Sequence, residues 1–437
     1  MTHKQRVERH SFGSGAKSMR PTLAGRLLTL MALLLCCTRA MAFTAPITAE
    51  FRPDPSRPDA NYFRNTTPVT GICAHYGYGP YCQSKGLFSI NTPIIFNSTG
   101  PINANHGSPR QGAMIQIRSG WHDLDVVPTQ GGKSERLSFR VSGISSTYLT
   151  RTPVANLVGG GVSAAEAHEM LWSGGAQGNW NSAPSPCVET GARAVPWGRQ
   201  FLFFWLTPVD GTCAKTAKFD IPDLQFYALD FAYELRTPRP LGMAAGTYTG
   251  KLTLTLGPGG DIDMGDVMLP DDNIIELDFT LSVDHIFKVE VPPGGNRIHL
   301  EPQGGWQGWL QNGRKPTRLF RDQSINLWTS SDFKMTLECA QPMGNTCSVA
   351  NESGHQVPLD LAVTLPGGLT DASGRPVNRL PLRLDGSGTD RFQPSMYIDR
   401  KPSTLHFEIK ADAVAQMLEQ PGSTYSGTAT VIWDSEV

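Results

Sequence analysis

Residues 423–437, Ser-Thr-Tyr-Ser-Gly-Thr-Ala-Thr-Val-Ile-Trp-Asp-Ser-Glu-Val, read as a β-strand opened by a glycine-containing turn. Side chains alternate across a strand, so Tyr425, Gly427, Ala429, Val431 and Trp433 share one face. Thr424, Ser426, Thr428, Thr430 and Ile432 share the other, which sets a more apolar face against a mostly polar one. Little sequence follows this strand to cover the edge of its sheet. An uncovered edge is a template for a strand from another chain, so the expectation is assembly rather than catalysis.

The rest of the chain favours short strands. Forty-five Gly and 33 Pro punctuate 437 residues, and clusters such as Val158-Gly-Gly-Gly161 and Gly257-Pro-Gly-Gly260 separate strand-like runs. In the first part the clear runs are 114–118, 136–141, 201–206, 224–235, 246–256 and 274–283. Residues 44–61, rich in Pro and Asp, are expected to be extended. Two short helices are expected: Ser163-Ala-Ala-Glu166 is a capping box before residues 167–172, and Asp412 caps residues 413–419. A boundary falls near Val291-Pro-Pro-Gly-Gly295, because proline lacks the donor a central strand needs. Beyond it, runs at 297–301, 324–329, 333–338, 358–365, 380–384, 404–409 and 424–433 suit an immunoglobulin-like sandwich.

The N-terminus reads as an export signal. Lys4, Arg6, Arg9, Lys17, Arg20 and Arg26 form a basic region, residues 27–35 an apolar core too short to span a bilayer, and Ala40-Met41-Ala42 a cleavage site before Phe43. Translation is expected to start at Met1 or Met19. Six cysteines then remain: Cys73, Cys82, Cys187, Cys213, Cys339 and Cys347. An even number in an exported chain reads as disulfides. Three pairs lie nine, 26 and eight residues apart with wide gaps between them, so the expected bonds are Cys73–Cys82, Cys187–Cys213 and Cys339–Cys347. No cysteine pair has zinc spacing.

Chemistry-bearing patterns are sparse. A net charge of −1 and the lack of a basic run give no nucleic-acid signature. Asp261-Ile-Asp-Met-Gly-Asp266 departs from the calcium-loop pattern and reads as a turn with solvated acids. His75, Tyr76, Tyr78 and Tyr81 lie inside the Cys73–Cys82 loop, which suits either a ligand contact or ordinary packing. Arg236 and Arg239 lie where a strand runs into a turn; they either hold a carboxylate or acidic sugar, or are plain surface arginines.

Several segments resemble the tip adhesins of class 5 (alpha) fimbriae, the family of colonisation-factor and CblD-like pilus initiators. They are Gly246-Thr-Tyr-Thr-Gly-Lys-Leu-Thr-Leu-Thr-Leu256, Ile298-His-Leu-Glu-Pro-Gln-Gly-Gly305, Leu405-His-Phe-Glu-Ile-Lys410 and Gly422-Ser-Thr-Tyr-Ser-Gly427. The resemblance implies an all-β chain of two immunoglobulin-like sandwiches: an adhesin domain over 43–291, after a signal at 1–42, and a donor-strand-complemented pilin domain over 292–437. It implies a periplasmic chaperone, an outer-membrane usher and a major pilin as partners, and a position at the fimbrial tip on the cell surface. The implied ligand is a host-cell glycan or glycoprotein. Arg236 and Arg239 stand in the region that contributes receptor-binding arginines in the family, and Arg64, displaced from the family position, is the nearest match to a further one. Gly-rich material around 159–181 and the tight Cys339–Cys347 loop depart from the family pattern. No cofactor, metal or catalysis is expected. The rival readings are a structural minor pilin that binds no receptor and a secreted carbohydrate-active enzyme.

Overall fold

The structure, a computed structural model, describes residues 42–174, 178–191, 194 and 196–435. The expected signal segment therefore lies almost wholly outside the described residues. The fold is all-β: strands gather around two separate apolar cores, one spanning residues 45–283 and the other 319–414.

The first core is organised by the strand Glu135–Thr150. Its early part pairs with His122–Pro128 on one side, its later part with Gln200–Leu206, and Leu224–Arg236 runs along the opposite side. At residues 141–148 nearly every side chain is buried, because both faces of the sheet are covered there. One face carries an aromatic cluster in which Trp180 stacks on Trp205 at 5.0 Å and Tyr148 meets Trp172 edge-on. The other face is covered by the Cys73–Cys82 loop and its flanks, from which Ile72, Tyr78 and Leu87 pack with Phe204 and Ala232. Burial on both sides demands small residues, which Ser142-Gly-Ile-Ser-Ser146 supplies. A Cβ on Gly143 would sit 2.9 Å from the Phe204 ring.

Residues 43–51, expected only to be extended, form a full strand that lies parallel to Ile274–Val283, in register from Phe43–Ile275 to Phe51–Val283. Ile274–Val283 also pairs with Gly246–Thr255, so the last strand of the first core is flanked on both edges. Pro46 is tolerated because Phe43–Phe51 has a long open outer edge, where a missing donor breaks no ladder.

The chain leaves the first sheet at Val283 and enters the second at Phe287. The Pro-Pro-Gly-Gly turn thus follows the first strand of the second core, which pairs as Phe287–Glu290 with Leu319–Thr329. Leu319–Thr329 then pairs with Ile398–Ile409, and that strand with Gln356–Thr364. Across the core, Lys334–Cys339 pairs with Ala429–Asp434. Among the described residues, the order first-second-fifth-fourth against third-sixth follows the immunoglobulin layout, with two strands in the second sheet.

Two local expectations need correction. The 297–301 run makes no strand; only Glu301 bridges, to Phe320, because the turn before it and the loop after it interrupt the ladder. The helix Ala411–Leu418 starts from Lys410, with Asp412 inside its first turn, where a carboxylate meets the positive helix end instead of capping it. Ser163 does cap Ala164–Leu171, accepting from the Glu166 N–H at 3.3 Å.

Candidate functional site

Two surfaces stand out, one on each core. The first is the edge of the terminal strand. Ala429–Asp434 pairs with Lys334–Cys339 along its whole length, from Ala429–Cys339 to Lys334–Asp434. Among the described residues no strand pairs with its other edge. The strand begins four residues later than the alternation of residues 425–433 implies, because Ser426 instead exchanges backbone hydrogen bonds with Ala350 of the other sheet. Its inward residues Ala429, Val431 and Trp433 pack on the second core yet stay only partly buried. Phe287, Val289, Leu300, Met417 and Leu418 share that condition. In the first core Ile275, Leu277, Phe279 and Leu281, on a strand flanked on both sides, are at most 1% exposed.

The disulfides bear on this edge. Cys339 is bonded to Cys347, with Cα atoms 5.4 Å apart, and the bond ties Lys334–Cys339 to Thr346–Ala350. The strand that holds the terminal strand is thereby stapled to the opposite sheet. Cys73–Cys82 and Cys187–Cys213 are likewise bonded.

The second surface carries the arginines. Arg236 ends the strand Leu224–Arg236, with its guanidinium 3.9 Å from the centre of the Trp121 ring. Arg140 lies against the same ring at 4.8 Å and accepts no freedom, since both Glu234 oxygens hold it at 2.9 Å. Arg239 precedes the turn Pro240–Gly242, is exposed, and makes no ion pair among the described residues. Arg64 pairs with Glu50 and lines a cleft of about 450 Å³ with Tyr62, Asn65, Lys85, Tyr233 and Thr237. Glu234 and Leu235 also line that cleft, but Arg236 does not, since its side chain is turned onto Trp121. Sequence reading missed Trp121, Arg140, Lys85 and Tyr62. Trp121, Arg140 and Lys85 are distant in sequence from the arginines, and only the pairing of strands brings them near; Tyr62 lies two residues before Arg64.

The Cys73–Cys82 loop divides its aromatics. Tyr76 is 90% exposed and stacks on His75 at 5.1 Å, while Tyr78 is buried edge-on against Phe204. Asp230 anchors the loop. It is 5% exposed, accepts from Asn91 Nδ2 at 2.6 Å and from the Ile72 N–H, and burial pushes its carboxyl up to about 6. Gly71 passes so close, with φ of 67°, that a Cβ there would lie 2.6 Å from the Asp230 carboxyl.

The acids of the Asp261–Asp266 turn are not all solvated, contrary to the sequence expectation. Asp261 and Asp263 are 8% and 2% exposed. Asp263 accepts from Arg110 and from the Gly259 and Gly265 N–H groups, and Asp261 from the Thr255 N–H and hydroxyl. These donors fill the lone pairs that a cation would need. Among the described residues no group of three His, Cys, Asp or Glu side chains is placed to hold a metal, and no helix is long and apolar enough to cross a membrane.

No family model matches the sequence, and no curated protein matches it. Among solved structures the chain is similar to one in the CsuC–CsuE chaperone–tip adhesion subunit pre-assembly complex from the archaic chaperone-usher Csu pili of Acinetobacter baumannii. The two are 8% identical, with a TM-score of 0.21, over 90% of this chain and 98% of that chain.

Proposed function

We propose that this protein is a minor tip subunit of a fimbria, which initiates assembly and carries adhesion to a host-cell receptor. The observation that carries the reading is the asymmetry of the two cores. The first closes its last strand on both edges, with Phe43–Phe51 on one side and Gly246–Thr255 on the other. The second has one partner for Ala429–Asp434 and leaves its apolar residues partly exposed. A subunit that uses its own strand Phe43–Phe51 to flank Ile274–Val283 in the first core, and leaves Ala429–Asp434 of the second with one partner, accepts a strand, which suits the end of a fibre.

In this reading the second core, from Phe287 onward, is the pilin domain. A donor segment from the major pilin lies along Ala429–Asp434, and its alternate side chains cover Val431 and Trp433. Main-chain hydrogen bonds supply affinity and the groove supplies specificity. A periplasmic chaperone occupies the same edge before an outer-membrane usher exchanges it. Residues 43–283 form the distal adhesin domain, with Arg236, Arg239 and Arg64 on the surface that meets a host glycan or glycoprotein.

The test is the melting temperature of the purified protein with and without a peptide copying the N-terminal segment of the co-assembled major pilin. A peptide that binds only the folded state at 100 times its Kd adds about 2.7 kcal/mol. A sequence-specific rise in melting temperature is expected. A protein indifferent to every such peptide would have a self-contained second domain, and the tip-subunit reading would fall.

A further inference from the structure

The connector between the two cores is three residues long, Asp284-His285-Ile286, and its central side chain contacts both. His285 Nε2 lies 2.9 Å from the carbonyl oxygen of Met243, a residue of the first core, and its ring meets Phe51 of that core edge-on at 5.7 Å. His285 Nδ1 lies 3.0 Å from the hydroxyl of Ser330, at the turn after Leu319–Thr329 of the second core.

These partners fit a neutral imidazole. A carbonyl only accepts, so Nε2 carries the hydrogen and donates it to Met243. Nδ1 is then bare and accepts from the Ser330 hydroxyl, while Ser330 Oγ accepts from the Ile286 N–H at 3.0 Å. The Ser330 N–H donates back to the Ile286 carbonyl at 3.0 Å. Every polar group at the joint is satisfied, on condition that the imidazole is neutral.

We propose that His285 is a pH-sensitive latch, which holds the two cores together while neutral and releases them when it takes up a proton. A proton on Nδ1 displaces the Ser330 hydroxyl hydrogen and leaves a charge between Met243 and Phe51. The charged groups near the ring offset little of this. Asp284 on its own connector is paired with Arg52 at 3.6 Å, and Asp332 beyond Ser330 is paired with Arg391 at 2.7 Å. From the side of Met243, residues 240–246 bring no titratable group. Burial therefore dominates and holds the imidazole below its ordinary value of 6.5. The sign follows: the released joint binds the proton more tightly than the closed one, so acidification below pH 6.5 shifts the balance towards release. Two other inter-core hydrogen bonds among the described residues, Tyr397 N–H to Pro58 and the Asn61 amide to Ser395, carry no charge and give no such response.

The test is small-angle X-ray scattering of the intact protein between pH 7.5 and 5.0, alongside His285→Gln, whose amide donates to Met243 and does not titrate. The expected result is a radius of gyration that rises on acidification in the native protein and is independent of pH in the variant. A radius that stays constant in both, or rises equally in both, overturns the latch. The imidazole C–H resonances of His285 are read in the native protein as a second measurement, so a variant that misfolds does not rescue the idea. A midpoint above 6.5 for His285 also overturns it.

Discussion

Trp433 stacks on Phe333 with ring centroids 5.7 Å apart, yet Phe333 is fully buried and Trp433 is not. The pair marks the line where the second core ends and its uncovered groove begins. Trp433→Ala removes half of that contact and the platform on which an added strand would rest. The expected loss is about 1–2 kcal/mol in the free protein, less than the 3–5 of a fully buried aromatic, together with a larger loss of peptide-induced stabilisation. Chemical denaturation with and without the donor peptide separates the two.

Arg236 and Arg239 are exposed, so replacing both by Ala is expected to change stability by less than about 1 kcal/mol, most of it from the Arg236–Trp121 contact. Adhesion of fimbriated cells is expected to fall at least tenfold. Undiminished adhesion in a variant with native melting behaviour would remove these arginines from the receptor surface.

Asp230 gives the first domain a pH dependence. Its folded value, about 6, lies above the ordinary 3.8, so the stability it confers is full below 3.8 and is lost as pH rises through 6. Asp230→Asn keeps an acceptor for the Ile72 N–H and removes the charge. Urea unfolding is expected to show the native protein losing roughly 2–3 kcal/mol more than the variant between pH 4 and pH 7.

Lys215 is wholly buried and donates to the carbonyls of Gly174 at 2.8 Å and Asn179 at 2.7 Å, so it pins the backbone at both residues. Burial lowers its ammonium from 10.5 to about 8, so its contribution to stability rises with pH across that interval. Lys215→Met leaves those carbonyls without their donor. A cost of about 3 kcal/mol at pH 7 is expected in thermal unfolding, with the slope between pH 8 and 10 flattened.

Loss of the Cys339–Cys347 bond by a double Ser substitution should act on the open edge. The closed loop is short, so the cost to the second domain is about 2–3 kcal/mol. Hydrogen exchange is expected to rise along residues 334–339 and 429–434 while the first core keeps its protection.

Much of the fold was legible where a strand buries one face. Ile274–Val283 and the 429–433 part of the terminal strand alternate in sequence because one side of each meets a core. Phe43–Phe51 escaped notice because its Pro and Asp neighbours suggest an irregular segment, and its parallel partner lies far along the chain. Asp263 escaped because carboxylates in a Gly-rich turn usually face water, whereas here Arg110 arrives from another part of the chain to neutralise it. The arginine surface was legible as a list of cations at a strand end. That Trp121 sits beneath Arg236 depends on sheet pairing, which local composition does not encode.

The parallel pairing of Phe43–Phe51 with Ile274–Val283 also governs the timing of folding. Phe43 hydrogen-bonds to Asp272 across 229 residues, so the first described strand of the first core waits for one of the last strands of that core. Such non-local closure is slow, and an unpaired hydrophobic strand is open to misassociation meanwhile. The vulnerable interval of this protein is therefore the wait for Ile274–Val283, when the edges of both cores lie open at once.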